Sequence, residues 1–390
     1  MYAFSYFKKF LWWIFLLNPI DLISLLIPRP RNSKATTLLI RLEAIGDFVL
    51  WGGAASDYAH HRVNVCGEVV ILLANKSWAR LAKSLGVFTR VIELDRLRYA
   101  KNPLYRLAIN IKVRRLGATK TISSVLTRDF IWCDSIVRIC GAKERLGSKG
   151  LMNRMSTLQE KWSSRWYTAL SNPLPSEPSE LLQTFHFFRT SFEGLREPHL
   201  LELPVRGRLP EPLKLKSYYV IVPGSLVPYK RWPVKRFAKL WEQLAAVDNT
   251  PAVICGAPEE SKVAAELNSL CGGRLIDLTG KTDLQAYIEV IRGAKFLIGN
   301  DSSAVHIAAT CQTPSLAILG GAHIGRFLPY SADVKGCVPP RVVFHKMDCF
   351  GCEWNCIYGL SFETVRPCVD GITVDAVSRE LMSISEPKVN

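Results

Sequence analysis

Two apolar patterns alternate along most of this chain. Short unbroken runs rich in Val, Ile and Leu read as strands of a parallel sheet buried on both faces. Between them, apolar positions recur three or four residues apart, the spacing of amphipathic helices. The strand candidates of the first half are TLLIRL (37–42), EVVILLA (68–74), RVIEL (90–94) and KTISSVL (120–126). Those of the second half are YYVIV (218–222), PAVICG (251–256), RLIDLTG (274–280), KFLIG (295–299) and SLAILG (315–320). Strand–helix alternation over 390 residues predicts an α/β protein of two doubly wound halves. Pro204, Pro210 and Pro212, set among basic residues, interrupt the pattern and mark a linker. The expected organisation is an apolar and basic segment 1–34, a first domain 35–205, a linker 206–216, and a second domain 217–390 with a Cys-rich loop 349–368.

Polar residues gather where three of these strands end. After TLLIRL, a tight turn at 44–46 leads into a helix beginning near Asp47, at the carboxyl end of a strand, where open α/β sheets keep their ligands. An aspartate in a first helical turn is also ordinary dipole chemistry. After YYVIV come Pro223, Gly224 and Ser225, and then Lys230 and Arg231, two cations suited to an anion. After KFLIG the chain reads Asn300, Asp301, Ser302, Ser303, with His306 in the first turn of the next helix. Such a helix start offers free N–H groups and a positive dipole end to a phosphate. Asp301 or Ser302 is expected to cap it.

The N-terminus carries two apolar runs, FLWWIFLL (10–17) and LISLLI (22–27), broken by Asn18, Pro19 and Asp21 and flanked by Lys8, Lys9, Arg29, Arg31 and Lys34. Neither reaches the ~20 residues of a spanning helix, and no small-residue cleavage site follows. The pattern suits a helix lying in a membrane interface, removable without loss of the fold; the competing reading packs it on the protein's own core. Charge points the same way. The formal balance is +16, and residues 76–128 hold 13 Lys and Arg against Glu93 and Asp95. That field attracts anionic lipid or a phosphorylated glycolipid, and no nucleic-acid-binding motif accompanies it.

Four of the 11 cysteines cluster as Cys349-x2-Cys352-x3-Cys356-x11-Cys368. Four thiolates leave no open coordination position, so zinc or iron bound there would hold the loop rather than catalyse.

The strand leading into R-L-x-x-I-G-D, the P-G-S loop followed by K-R-W-P, and D-S-S-x-x-H after a late strand together resemble the bacterial family 9 glycosyltransferases, the lipopolysaccharide heptosyltransferases. The likeness runs over roughly residues 37–377 with the motifs in the family's order, and departs from it at Ser303, where the family usually has Gly. The resemblance implies a GT-B architecture, two Rossmann-like domains facing a cleft. It implies inverting, metal-independent transfer of a heptose from ADP-heptose or a similar donor to a lipopolysaccharide core or related anionic acceptor. Asp47 would then be the general base, weakened by its helix start, and Lys230 would stabilise the diphosphate with Ser225 and the N–H groups of Ser302 and Ser303. Gly224, Asp301 and His306 complete the donor site, with Glu260, or its neighbour Glu259, on the ribose. No cofactor is expected in catalysis, since no Asp-x-Asp pair stands ready for a diphosphate-bound cation. The expected location is cytoplasmic, peripheral on the inner membrane. A non-catalytic membrane-associated sugar-nucleotide-binding or scaffold protein is the alternative. A Rossmann oxidoreductase is excluded, because Ala44-Ile45-Gly46-Asp47 is no G-x-G-x-x-G turn.

Overall fold

The structure, a computed structural model, describes residues 13–150, 155–205, 208–214 and 217–385, so the start of the first apolar run and Lys8 and Lys9 lie outside the described residues. The chain forms two compact units that divide between Pro198 and His199. Each is built on a six-stranded, wholly parallel sheet flanked by helices.

In the first unit the strands are β1 (Thr36–Arg41), β2 (Val69–Asn75), β3 (Arg90–Leu94), β4 (Lys120–Ser123), β5 (Glu144–Ser148) and β6 (Ala169–Ser171), in the order β3-β2-β1-β4-β5-β6. The second unit has β7 (Tyr219–Val222), β8 (Ala252–Ile254), β9 (Ile276–Asp277), β10 (Leu297–Asn300), β11 (Ser315–Ile318) and β12 (Arg341–Val343), in the order β12-β11-β10-β7-β8-β9. Counted within its own unit, each sheet runs 3-2-1-4-5-6, the doubly wound order. The α/β expectation of two Rossmann-like halves therefore holds. All nine expected strands are present. The sequence reading passed over β5, β6 and β12, which lie toward or at the sheet edges with at most two fully buried residues each and so show no apolar run.

Both cores sit where the apolar runs placed them. All six residues of β1 are buried, and Leu38, Ile40, Leu73, Ile92 and Ile136 meet around it. In the second unit Ile221, Ile254, Ile298 and Ile318 pack with Trp232, Trp241 and Val377. In each unit the order reverses between the first and fourth strands, at β1/β4 and β7/β10. In an open sheet of this order a crevice opens beyond the carboxyl ends at such a reversal, which is where Asp47, the Pro-Gly-Ser loop and Asp301 follow their strands.

The second N-terminal apolar run belongs to the helix Asn18–Leu25, which docks on the first unit by its polar side. Asp21, fully buried, accepts from Arg106 Nε at 2.7 Å and Nη2 at 2.6 Å, and from Asn110 Nδ2 at 2.9 Å. Arg114 donates to the carbonyls of Leu25 and Ile27, and Arg138 to Asn18 Oδ1 at 2.9 Å. These bonds make residues 18–27 part of the unit's fold, so the expectation of a removable segment is set aside: deletion would strand the buried Arg106 without its carboxylate. Among the described residues no helix is long and apolar enough to cross a membrane.

Candidate functional site

In the first unit, β1 ends in Arg41 and the helix Ile45–His60 starts after Ala44. Asp47 stands three residues past that N-cap and its Oδ2 accepts from Ala44 N at 3.0 Å. Arg41 is buried, with Nε 3.2 Å from Glu43 Oε2 and Nη2 3.3 Å from Glu180 Oε1, and it also donates to the Asp47 carbonyl. One guanidinium thus pairs with two carboxylates and bonds the Asp47 backbone carbonyl, while its charge also reaches the Asp47 carboxyl. Burial, followed by the negative field of Glu180, lifts the Asp47 carboxyl to about 6, while Arg41 and the Ala44 N–H pull the other way. The expected weakening of this base by its helix start is therefore corrected: burial and like charge outweigh the helix dipole. Asp47 stays partly exposed, so a hydroxyl can reach it.

Sequence reasoning missed Arg41, Glu43 and Glu180. A charged residue ending a fully buried strand was a usable signal for Arg41. Glu180 gave none, because it arrives from 139 residues away in sequence.

In the second unit, the loops after β7 and β10 are joined by Asn300. This buried residue accepts from Trp232 N at 2.9 Å and donates to Pro223 O at 2.7 Å and Gly224 O at 3.3 Å. Lys230, at the end of the short turn Pro228–Lys230, places Nζ 3.2 Å from Asp301 Oδ2 and 5.0 Å from the centre of the Trp354 ring. Burial alone would raise the Asp301 carboxyl, but Lys230, with His306 and His323, holds it below the usual carboxylate range. The helix Ser303–Thr310 begins after Ser302 without a side-chain cap, contrary to expectation. Asp301 has turned to Lys230, and the Ser302 hydroxyl is buried with no hydrogen-bond partner. Such an orphaned group next to a helix start is ready to bond a ligand.

His306 is buried, with Nδ1 2.6 Å from the Tyr330 hydroxyl, and burial pushes it down to about 4, so it is neutral at pH 7 and braces the helix start rather than offering a cation. Ser225 is buried, its carbonyl accepting from Arg231 Nε at 2.9 Å. Of the two candidate glutamates, Glu259 is exposed, whereas Glu260 folds back so that its Oε2 accepts from Ala257 N at 2.8 Å. A Cβ at Gly224 would come within 2.2 Å of Glu260 Oε1, so this carboxylate lies directly on the Pro-Gly-Ser loop, and a side chain at 224 would displace it. Burial raises the Glu260 carboxyl above its ordinary value.

The Cys-rich loop reaches the same place. Trp354 sits between Cys352 and Cys356 on two consecutive non-glycine residues of positive φ, Glu353 at 49° and Trp354 at 65°. Its ring packs on Tyr229 and beside Lys230, and a Cβ at Gly320 would strike it at 2.7 Å. Strain of this kind persists only where surrounding contacts over-determine the backbone. The Cys368 thiol is pushed up first by burial, and the fields of Cys352, Cys349 and Cys356 add to the rise. Among the described residues the four do not form a set with all ligand atoms within 4.8 Å of one another. Among the described residues the trio with ligand atoms within 4.8 Å of one another is Glu43, Asp129 and Cys133. That trio has a structural explanation, since Asp129 caps the turn Phe130–Asp134 by accepting from Trp132 N and Cys133 N.

A family model described as glycosyltransferase family 9 (heptosyltransferase) matches residues 185–350. The chain is 32% identical over 100 residues to lipooligosaccharide heptosyltransferase 2 of Haemophilus influenzae, a stretch covering 24% of this chain and 28% of that protein. The aligned part is thus under a third of that relative's length. Among solved structures, a glycosyl transferase family 9 protein from Veillonella parvula superposes with a TM-score of 0.65 at 15% identity, covering 92% of this chain and 99% of that one. An Escherichia coli heptosyltransferase with ADP-2-deoxy-2-fluoro heptose does so with 0.62 at 16%, covering 89% and 99%. At these identities the likeness concerns the fold, which is that of GT-B heptosyltransferases.

Proposed function

Because the chain carries a glycosyltransferase family 9 domain over residues 185–350, we propose that it transfers a sugar, heptose before others, from a nucleoside diphosphate donor such as ADP-heptose to a hydroxyl of a lipopolysaccharide core or related anionic glycolipid. The observation that carries this reading is the Lys230–Asp301 pair at 3.2 Å at the β7/β10 switch point, beside the orphaned Ser302 hydroxyl. A diphosphate would take Lys230 as its counter-charge and accept from Ser302, Ser225 and the free N–H groups at Ser302 and Ser303. Glu260, over Gly224, is suited to the ribose hydroxyls.

Transfer is a single in-line displacement. The acceptor oxygen attacks the anomeric carbon as the bond to the diphosphate oxygen breaks, which inverts that centre. Asp47 takes the acceptor proton and the nucleoside diphosphate leaves with the electron pair, its charge met by Lys230. These side chains do the work without a divalent cation on the diphosphate, so turnover should not need added magnesium or manganese. We assign Cys349, Cys352, Cys356 and Cys368 a structural zinc or iron, supported by their spacing on one loop and the following helix and by the strained backbone at Glu353 and Trp354 between them. The acceptor's lipid places the reaction at a membrane, and we take this to be the cytoplasmic face of the inner membrane.

Purified protein supplied with ADP-heptose should release ADP only when a core glycolipid acceptor is present. Donor retained without release, over a range of acceptors, would make the protein a sugar-nucleotide binder instead.

A further inference from the structure

The helix Asn18–Leu25 is inside out. Its polar residues Asp21 and Ser24 are fully buried, while Leu22 and Ile23, and Leu26 just beyond at 82%, are exposed. Phe15, in the turn before it, is 75% exposed. A surface helix ordinarily buries its apolar stripe. This one is held the other way by the bidentate Asp21–Arg106 pair and by Asn110, which also donates to Ser24 Oγ at 3.1 Å. Rolling the leucines inward would carry Asp21 out to solvent and leave Arg106 as an unpaired buried charge, so the orientation is locked.

The apolar exposure continues next door. The helix Pro103–Arg114 that supplies Arg106 begins with the exposed Leu104, and the helix Arg96–Lys101 that packs on it carries the exposed Leu97. Exposed cations occupy the same segments, namely Arg31 and Lys34 after the first helix and Arg98 and Lys101 on the third. Apolar side chains among cations match a bilayer interface, in which acyl chains take the leucines and anionic headgroups take the ammonium and guanidinium groups.

We infer that the outward side of the helix Asn18–Leu25, with Phe15, Leu97 and Leu104 around it, is a docking surface for an anionic lipid bilayer, bolted to the first unit by the Asp21–Arg106 pair. It rests on the membrane-associated reading above and supplies the contact surface for it. It is independent of the sugar and of the nucleotide.

The test is vesicle flotation of the full chain, comparing phosphatidylcholine alone with phosphatidylcholine containing phosphatidylglycerol. The wild type should float with the anionic vesicles, and less so at high salt. The triple variant Leu22→Glu, Ile23→Glu, Leu26→Glu changes only exposed positions. It should lose vesicle binding by about tenfold or more while keeping its melting temperature and its ADP release with a water-soluble acceptor. Val247→Glu, an equally exposed apolar site in the second unit, should float like wild type. Wild type that stays at the bottom, a triple variant that floats undiminished, or equal loss with Val247→Glu overturns the inference. So does a lipid-free wild-type dimer that the triple variant converts to a monomer when neither floats, since the surface would then belong to a second copy. Loss of ADP release in wild type with intact flotation would strike the catalytic reading and leave this surface standing.

Discussion

Arg41 carries one positive charge, and Glu43, Asp47 and Glu180 all press upon it, so the group cannot hold three negative charges comfortably. Burial and the field of Glu180 raise the Asp47 carboxyl to about 6, the proton affinity a general base needs near neutral pH. A base works in its ionised form, so the rate should rise with pH through about 6 and level above it. Glu180→Gln removes one of the charges that raise Asp47 and should move this limb to lower pH, a shift that a merely structural loss would not produce. Asp47→Asn should cut turnover by about 10² or more with little change in donor affinity. The same substitution should also stabilise the fold. A carboxyl whose folded pKa is raised contributes stability at low pH and loses it as pH climbs through about 6, so at pH 8 the ionised Asp47 is a burden that the amide relieves, by about 1–3 kcal/mol. A melting temperature that falls instead would contradict this account of the base. In the second unit, Lys230→Ala should weaken ADP binding by about 1–3 kcal/mol in calorimetry, and unchanged affinity would move the anion site elsewhere.

At the scale of elements, the donor loop is held by parts that lie far from it in sequence. Asn300, from the end of β10, ties down the turn after β7, and Trp354 from the Cys-rich loop lies along Lys230. The cysteines therefore bear on donor binding without touching the donor. If they hold zinc or iron, the purified, reduced protein should contain close to one equivalent of metal, and serine at Cys352 should lower metal content, melting temperature and ADP affinity together. Serine at the exposed Cys66 should change none of these. A metal-free protein that melts and binds ADP normally would leave the four as plain thiols.

For the whole molecule, the N-terminal helix decides what the first unit is. Asp21→Ala leaves Arg106 buried and unpaired, which costs about 3–5 kcal/mol, and deleting residues 1–31 should lower the melting temperature at least as much. A truncated chain melting like the full one would show the segment to be an appendage after all. How much of this was legible beforehand follows from range. Strand runs and helix periods are local, so both sheets, the switch-point loops, and Asp47, Lys230, Asp301 and the Pro-Gly-Ser turn could all be read along the chain. Strands β5, β6 and β12 could not, because their residues are mostly only partly buried and so form no apolar run. The choice of Glu260 over Glu259, the orphaned Ser302 hydroxyl and the direction of the Asp47 shift required a third dimension. Each depends on groups brought together by packing: Glu260 on Gly224, Lys230 on Asp301, Glu180 on Arg41. The N-terminal helix shows the division most plainly. Its amphipathic pattern was written in the sequence, but which side faces the protein was not, since that was decided by a buried arginine 85 residues away, and a charge with no solvent outweighs the pull of a few leucines.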